Sequence, residues 1–174
     1  MEPQLIKLWC RCHAQERKRG EMKRETLVCA IVWLGLVCCM TAAAQEKGDW
    51  CAASSTAKSI TGDVSLAEAK VFINFSAFTI AKIRGLEQGE ASALFDPDGI
   101  ATGSGSLYRL NVPGEKKFLH KNSLCGSDDT QWMVTYVSGR SLQLAFFSGA
   151  KPPVFTMDAL GNSTDLCGKF SYSR

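Results

Sequence analysis

His120 stands in the run Lys116-Lys117-Phe118-Leu119-His120-Lys121, where flanking cations would lower its pKa and suit it to general-base work. The carboxylates nearest in sequence are Asp128 and Asp129. Adjacent carboxylates on a strand point to opposite faces, so these two read as turn or capping groups before they read as a convergent pair. Asp96-Pro97-Asp98-Gly99 begins like a calcium loop, but Ile100 follows where a further oxygen ligand is needed, and the segment reads as a turn. Gly103-Ser104-Gly105-Ser106 lacks the Gly-Lys-Ser/Thr of a phosphate loop and the Gly-x-Ser-x-Gly of a nucleophile elbow, and reads as flexible loop. Cys51 is the one thiol placed for reactivity, with no histidine beside it. Cys10, Cys12 and His13 lack a fourth zinc ligand nearby. No catalytic residue, metal site or cofactor is therefore assigned.

The order of segments around residue 30 points to export. Met22-Lys23-Arg24 is a basic start, residues 27–40 are an uninterrupted apolar run, and Ala42 and Ala44 take the A-x-A positions before Gln45. Residues 22–44 are read as a signal peptide cleaved between Ala44 and Gln45, and residues 1–21 as an upstream extension outside the fold. The alternative is an inner-membrane anchor through residues 27–44, which are about as long as the shortest spans. After cleavage no stable membrane span is expected, and the chain matures in the periplasm or is secreted.

Removing the leader cancels the net charge. Of 20 basic and 17 acidic residues, seven and four precede Gln45, which leaves thirteen of each sign. A nucleic-acid partner finds no basic excess to bind it. Three of eight cysteines remain: Cys51, Cys125 and Cys167. An odd count in an oxidising compartment means one bridge and one further thiol, or a bridge to another chain. Cys125 and Cys167 each sit between Leu and Gly and are taken as the pair, among three pairings. Closing that loop is worth about 4 kcal/mol in the chain-entropy model. Cys51 is left as the thiol outside the bridge, able to link a dimer.

Residues 45–58 show no apolar period and are read as a loose N-terminal arm; residues 59–174 form the β domain. Val71, Ile73 and Phe75 alternate, and the phase then shifts, which predicts a bulge or tight bend near Ser76-Ala77. Ser65-Leu66-Ala67-Glu68 has capping-box spacing and supports at most a turn of helix. Residues 91–95 read as a strand. Tyr108, Leu110 and Val112 share one face, as do Trp132, Val134 and Tyr136, and after a Ser138-Gly139-Arg140 link Leu142, Leu144 and Phe146 are expected to continue that same buried face. Short strands broken by Gly and Pro turns predict a mainly β fold, a single antiparallel β-sandwich or small β-barrel. Phe147, out of phase, and Phe155 are the candidate outward surface for a ligand or partner.

The segments Leu107-Tyr108-Arg109-Leu110, Leu124-Cys125-Gly126, Thr130-Gln131-Trp132-Met133, Gly139-Arg140-Ser141-Leu142 and Leu166-Cys167-Gly168 resemble those of small exported proteins of Gram-negative bacteria. The resemblance covers roughly half of the mature chain and implies export and a disulfide, without implying an activity. The functional expectation is an exported, non-enzymatic β domain that binds a protein partner or a small apolar ligand. The rivals are a small hydrolase-like enzyme using His120 with Asp128 or Asp129, and a structural envelope protein with no discrete ligand.

Overall fold

A computed structural model describes residues 46–95 and 103–174. The leader, its Ala44/Gln45 cleavage site, the upstream extension and the turn at residues 96–99 lie outside the described residues. The strands are β1 (Gly48–Ala52), β2 (Val64–Leu66), β3 (Lys70–Ile73), β4 (Ser76–Thr79), β5 (Ala81–Gly85), β6 (Ser104–Val112), β7 (Thr130–Ser138), β8 (Ser141–Phe147) and β9 (Leu166–Ser173). They form one antiparallel sheet in the order β4-β3-β2-β1-β9-β8-β7-β6-β5. The two ends of that order, β4 and β5, are separated in the chain by Ile80 alone. They are two halves of one bent strand, the first paired with β3 and the second with β6. Counted so, eight strands close into a small up-and-down barrel in which each strand pairs with its sequence neighbour and β9 returns to β1. Closure rather than two stacked sheets decides between the expected alternatives, and it leaves no long unpaired edge.

The barrel is filled, not hollow. Val71 and Ile73 on β3, Tyr108, Leu110 and Val112 on β6, and Phe170 and Tyr172 on β9 share one buried cluster with Trp50 of β1. The expected alternation is thus observed on β6, and on β3 it holds for Val71 and Ile73 but not for Phe75, which lies beyond the strand. On the β7–β8 hairpin the expected single face splits in two. Met133 faces Phe146, Thr135 faces Leu144 and Val137 faces Leu142, and Met133, Val137 and the three β8 residues fill the barrel. Trp132 faces Phe147 and Val134 faces Ala145 in a second cluster on the outer wall, and Tyr136 joins Ala91 in a third. Both faces of this hairpin are buried, so periodicity could not say which was inside.

The outer wall is covered by helix α2 (Gln88–Phe95), whose Leu94 is buried against Leu107 and Phe147. Residues 91–95 are therefore helix where a strand was expected. The short helix α3 (Met157–Gly161) lies over the same wall, capped by Thr156, whose hydroxyl accepts from the Ala159 N–H.

Residues 46–58 are not a loose arm. β1 is paired on both sides, and helix α1 (Ser55–Ile60) is capped by the Ser54 hydroxyl accepting from the Ala57 N–H at 3.1 Å. Five residues with one buried aromatic, Trp50, are too few to show a period. Of the two expected alternatives, a bulge or a tight bend, the phase shift after Ile73 is the bend: a two-residue turn at Asn74-Phe75, just before Ser76-Ala77. Both turn residues have positive φ, 46° and 63°, the geometry that matches strand twist in tight hairpins. That turn leaves Phe75 85 % exposed.

Candidate functional site

The sequence-expected chemical groups are not brought together. His120 lies exposed in a single 3-10 turn over Leu119–Lys121 at φ 52°. Asp129 accepts from the Gly114 N–H at 3.0 Å, and Asp128 accepts from the Ser127 hydroxyl at 3.5 Å. Among the described residues neither carboxylate hydrogen-bonds or ion-pairs with His120, so no orienting partner is supplied to a base. Among the described residues no group of three or more His, Cys, Asp or Glu could hold a metal ion. No helix among them is long and apolar enough to cross a membrane.

Cys125 and Cys167 stand at disulfide distance, Cα to Cα 4.8 Å, which is the pairing their Leu-Cys-Gly contexts suggested. The bridge fastens the loop before β7 to the start of β9. Cys51 lies half-buried in β1 opposite Ser173, in a paired strand and not in an arm.

Residues 104–106 open β6, with Gly103 just before it, instead of forming a flexible loop. A Cβ at Gly103 would meet the Val137 carbonyl oxygen at 2.1 Å, and one at Gly105 the Thr135 carbonyl oxygen at 2.7 Å. Glycine is needed at both so that β6 can lie against β7.

Two places among the described residues gather groups that a ligand would need. The first is a cleft of about 270 Å³ on the outer wall. Phe147, Pro152, Pro153, Val154 and Ala159 of α3 line it, and Lys151 and Asp165 supply charges of both signs. Phe147 and Phe155 are themselves 1 % and 5 % exposed and pack edge to face at 6.0 Å. They are therefore not the outward surface expected of them. Helices α2 and α3 and the segment around the two prolines bury this wall, and Val154 and Met157, 63 % and 58 % exposed, carry the apolar surface instead. Behind Phe147, the Trp132 indole donates to the Gly149 carbonyl at 2.8 Å and stacks under the Arg109 guanidinium at 4.6 Å. Arg109 also donates to Gln131 at 2.5 Å, which fixes its plane.

The second is the mouth of the barrel, where Ser106 and Tyr108 of β6 and Thr135 of β7 turn hydroxyls toward the carboxylate of Glu46. Thr135 donates to one carboxylate oxygen and Ser106 to the other at 3.3 Å. Burial pushes the Tyr108 phenol well above its ordinary range, and the neighbouring Glu46 carboxylate pushes it further. The Trp50 indole donates to the Glu46 carbonyl at 3.0 Å, and the Arg174 guanidinium lies over Trp50 at 4.2 Å. Sequence reading missed this constellation. Its signal was polar residues at inward parity: Ser106 and Tyr108 in phase with Leu110, and Thr135 in phase with Met133 and Val137.

No protein-family model, curated protein or solved structure matches the chain.

Proposed function

We propose that the protein is an exported, non-enzymatic binding module, periplasmic or secreted, whose outer cleft receives an apolar side chain of a protein partner. The observation that carries this reading is the cleft over Phe147, with Val154 and Met157 exposed beside it. At about 270 Å³ it falls below the roughly 300–1,000 Å³ of pockets that enclose a small molecule. An open cleft of that size suits one or two side chains of a larger partner. A filled barrel interior weighs against the small apolar ligand held inside it. Cysteines at disulfide distance support maturation in an oxidising compartment.

The test is site-specific photo-crosslinking in the cells that make the protein, with the crosslinker at Val154, at Met157 and, on the opposite part of the barrel, at Ala77. A discrete adduct from the first two positions that Ala77 does not give is expected. Identical adducts from all three positions, or none from Val154 and Met157, would remove the cleft as the docking place. Native mass spectrometry covers the ligand alternative: a small added mass that Val154→Asp removes would mean a small molecule occupies the cleft.

A further inference from the structure

Barrel interiors of this kind are filled by apolar side chains, and most inward positions of β6 and β7 obey: Leu110, Val112, Met133 and Val137 are all buried. Ser106, Tyr108 and Thr135 break the pattern at one end, and all three are buried as well. A buried hydroxyl left without a partner costs about 1–3 kcal/mol, so three gathered in one place call for an acceptor. Glu46 supplies it. Thr135 donates to Oε1 and Ser106 to Oε2 at 3.3 Å, and the Tyr108 phenol lies close enough for the same carboxylate to raise its pKa. Thr135 has one weaker alternative, the Ser106 carbonyl at 3.3 Å.

The cradle has the chemistry of a receptor for one carboxylate. Each oxygen has its own hydroxyl donor. Among the described residues no Lys, Arg or His forms an ion pair with Glu46, so the donor set suits a single negative charge and not a phosphate. Glu46 is also separable from the fold. It lies before β1, outside every strand pairing, and is only partly buried. Among the described residues its backbone is tied by the bond from the Trp50 indole to its carbonyl.

We infer that Ser106, Tyr108 and Thr135 form a carboxylate-binding site at the barrel mouth, occupied in cis by Glu46, and that a small free monocarboxylate takes the same place when Glu46 leaves it. The tether gives Glu46 an effective concentration in the millimolar range or above, so it acts as a competitive plug. A free carboxylate then binds weakly to the intact protein and more tightly once the plug is gone.

Glu46→Ala removes a CH2-carboxylate, the size of acetate, which makes acetate the probe. In an NMR titration of the purified protein with sodium acetate, the variant is expected to show saturable shifts at the Ser106 and Thr135 amides. Its apparent affinity should exceed that of the unsubstituted protein by about tenfold or more. Acetamide, of the same shape without the charge, should not bind, and adding Thr135→Val to Glu46→Ala should abolish the acetate response. Absence of a saturable acetate response in the folded Glu46→Ala protein, equal binding of acetamide, or an unchanged response with Thr135→Val each overturns the inference. Should Glu46→Ala fail to fold, the unsubstituted protein carrying 13C-labelled glutamate decides. Rising acetate should move the Glu46 carboxyl resonance saturably toward that of a solvated carboxylate, and a resonance that stays fixed overturns the site.

Discussion

Trp132 stands directly across from Phe147 on the outer wall of the barrel, while its chain neighbour Met133 stands across from Phe146 inside it. One hairpin thus supplies two apolar layers, and the larger ring belongs to the outer one. The Trp132 indole is bonded to Gly149, stacked under Arg109 and packed with Val134 and Phe147. Trp132→Ala is therefore expected to cost about 3–5 kcal/mol, the range for removing a large core aromatic. Urea unfolding measures it. A loss below about 1 kcal/mol would mean that the outer layer contributes little and that the barrel interior alone holds the fold.

How far the sequence could be read follows from how many faces each strand buries. β6 was legible at Tyr108, Leu110 and Val112, which alternate with polar neighbours. The β7–β8 hairpin was not, because Trp132, Met133, Val134 and Ala145, Phe146, Phe147 are apolar runs that fit either phase. Helix α2 was mistaken for a strand because Ala91 to Phe95 is a short apolar run that carries no decisive period. The cysteine pair was legible from local context alone. The Glu46 cradle was beyond reach, because the acceptor lies outside the sheet and 89 residues before Thr135. The cleft was half legible: Phe147 was singled out, but only the placement of α3 and the Pro152-Pro153 segment shows that it is buried while lining the cleft.

The bridge between Cys125 and Cys167 closes a separation of 42 residues and joins a long loop to the last strand. Cys125→Ser is expected to lower stability by about 2–5 kcal/mol, as removal of a native bridge typically does. Cys51→Ser, half-buried on β1, should cost about 1 kcal/mol or less. Non-reducing peptide mapping together with urea midpoints checks both. A linked peptide containing Cys51 and either other cysteine, or equal losses from the two substitutions, would contradict the pairing.

Two phenols make stability fall in alkali. Burial raises Tyr172 above the ordinary range, with the Asp63 charge adding to it and the Thr61 hydroxyl at 2.7 Å pulling the other way. Burial and then Glu46 raise Tyr108 likewise. Unfolded phenols titrate near about 10, so above that pH the unfolded chain releases protons that the folded one keeps. The stabilisation is complete below that point and is lost as pH climbs toward the raised folded values, with a slope of up to about 1.4 kcal/mol per pH unit for each phenol. Tyr172→Phe removes one of the two contributions. Urea midpoints between about pH 9 and about pH 11 should therefore fall less steeply for the variant than for the unsubstituted protein. Parallel slopes would show that Tyr172 titrates as an exposed phenol. Lysines titrate in the same window, but they are common to both proteins and cancel in the comparison.

The hairpin between β3 and β4 turns on two residues that both hold positive φ, Asn74 at 46° and Phe75 at 63°. Asparagine tolerates that region, because its short polar side chain can bond locally. Phenylalanine does not: its Cβ crowds the following carbonyl at a cost of about 1–2 kcal/mol. Nothing in the packing offsets this, since the ring is 85 % exposed. Phe75→Gly creates an Asn-Gly turn, the pair best suited to this hairpin geometry. Glycine returns part of the gain, because the unfolded chain becomes freer by about 0.4–1 kcal/mol. The balance is an expected stabilisation of about 0.5–1 kcal/mol, read as a higher urea midpoint with an unchanged slope. Phe75→Ala separates the two effects. It sheds the exposed ring but keeps the Cβ, so it should leave the midpoint where it was. A gain from alanine equal to that from glycine would place the cost in the exposed ring and not in the backbone.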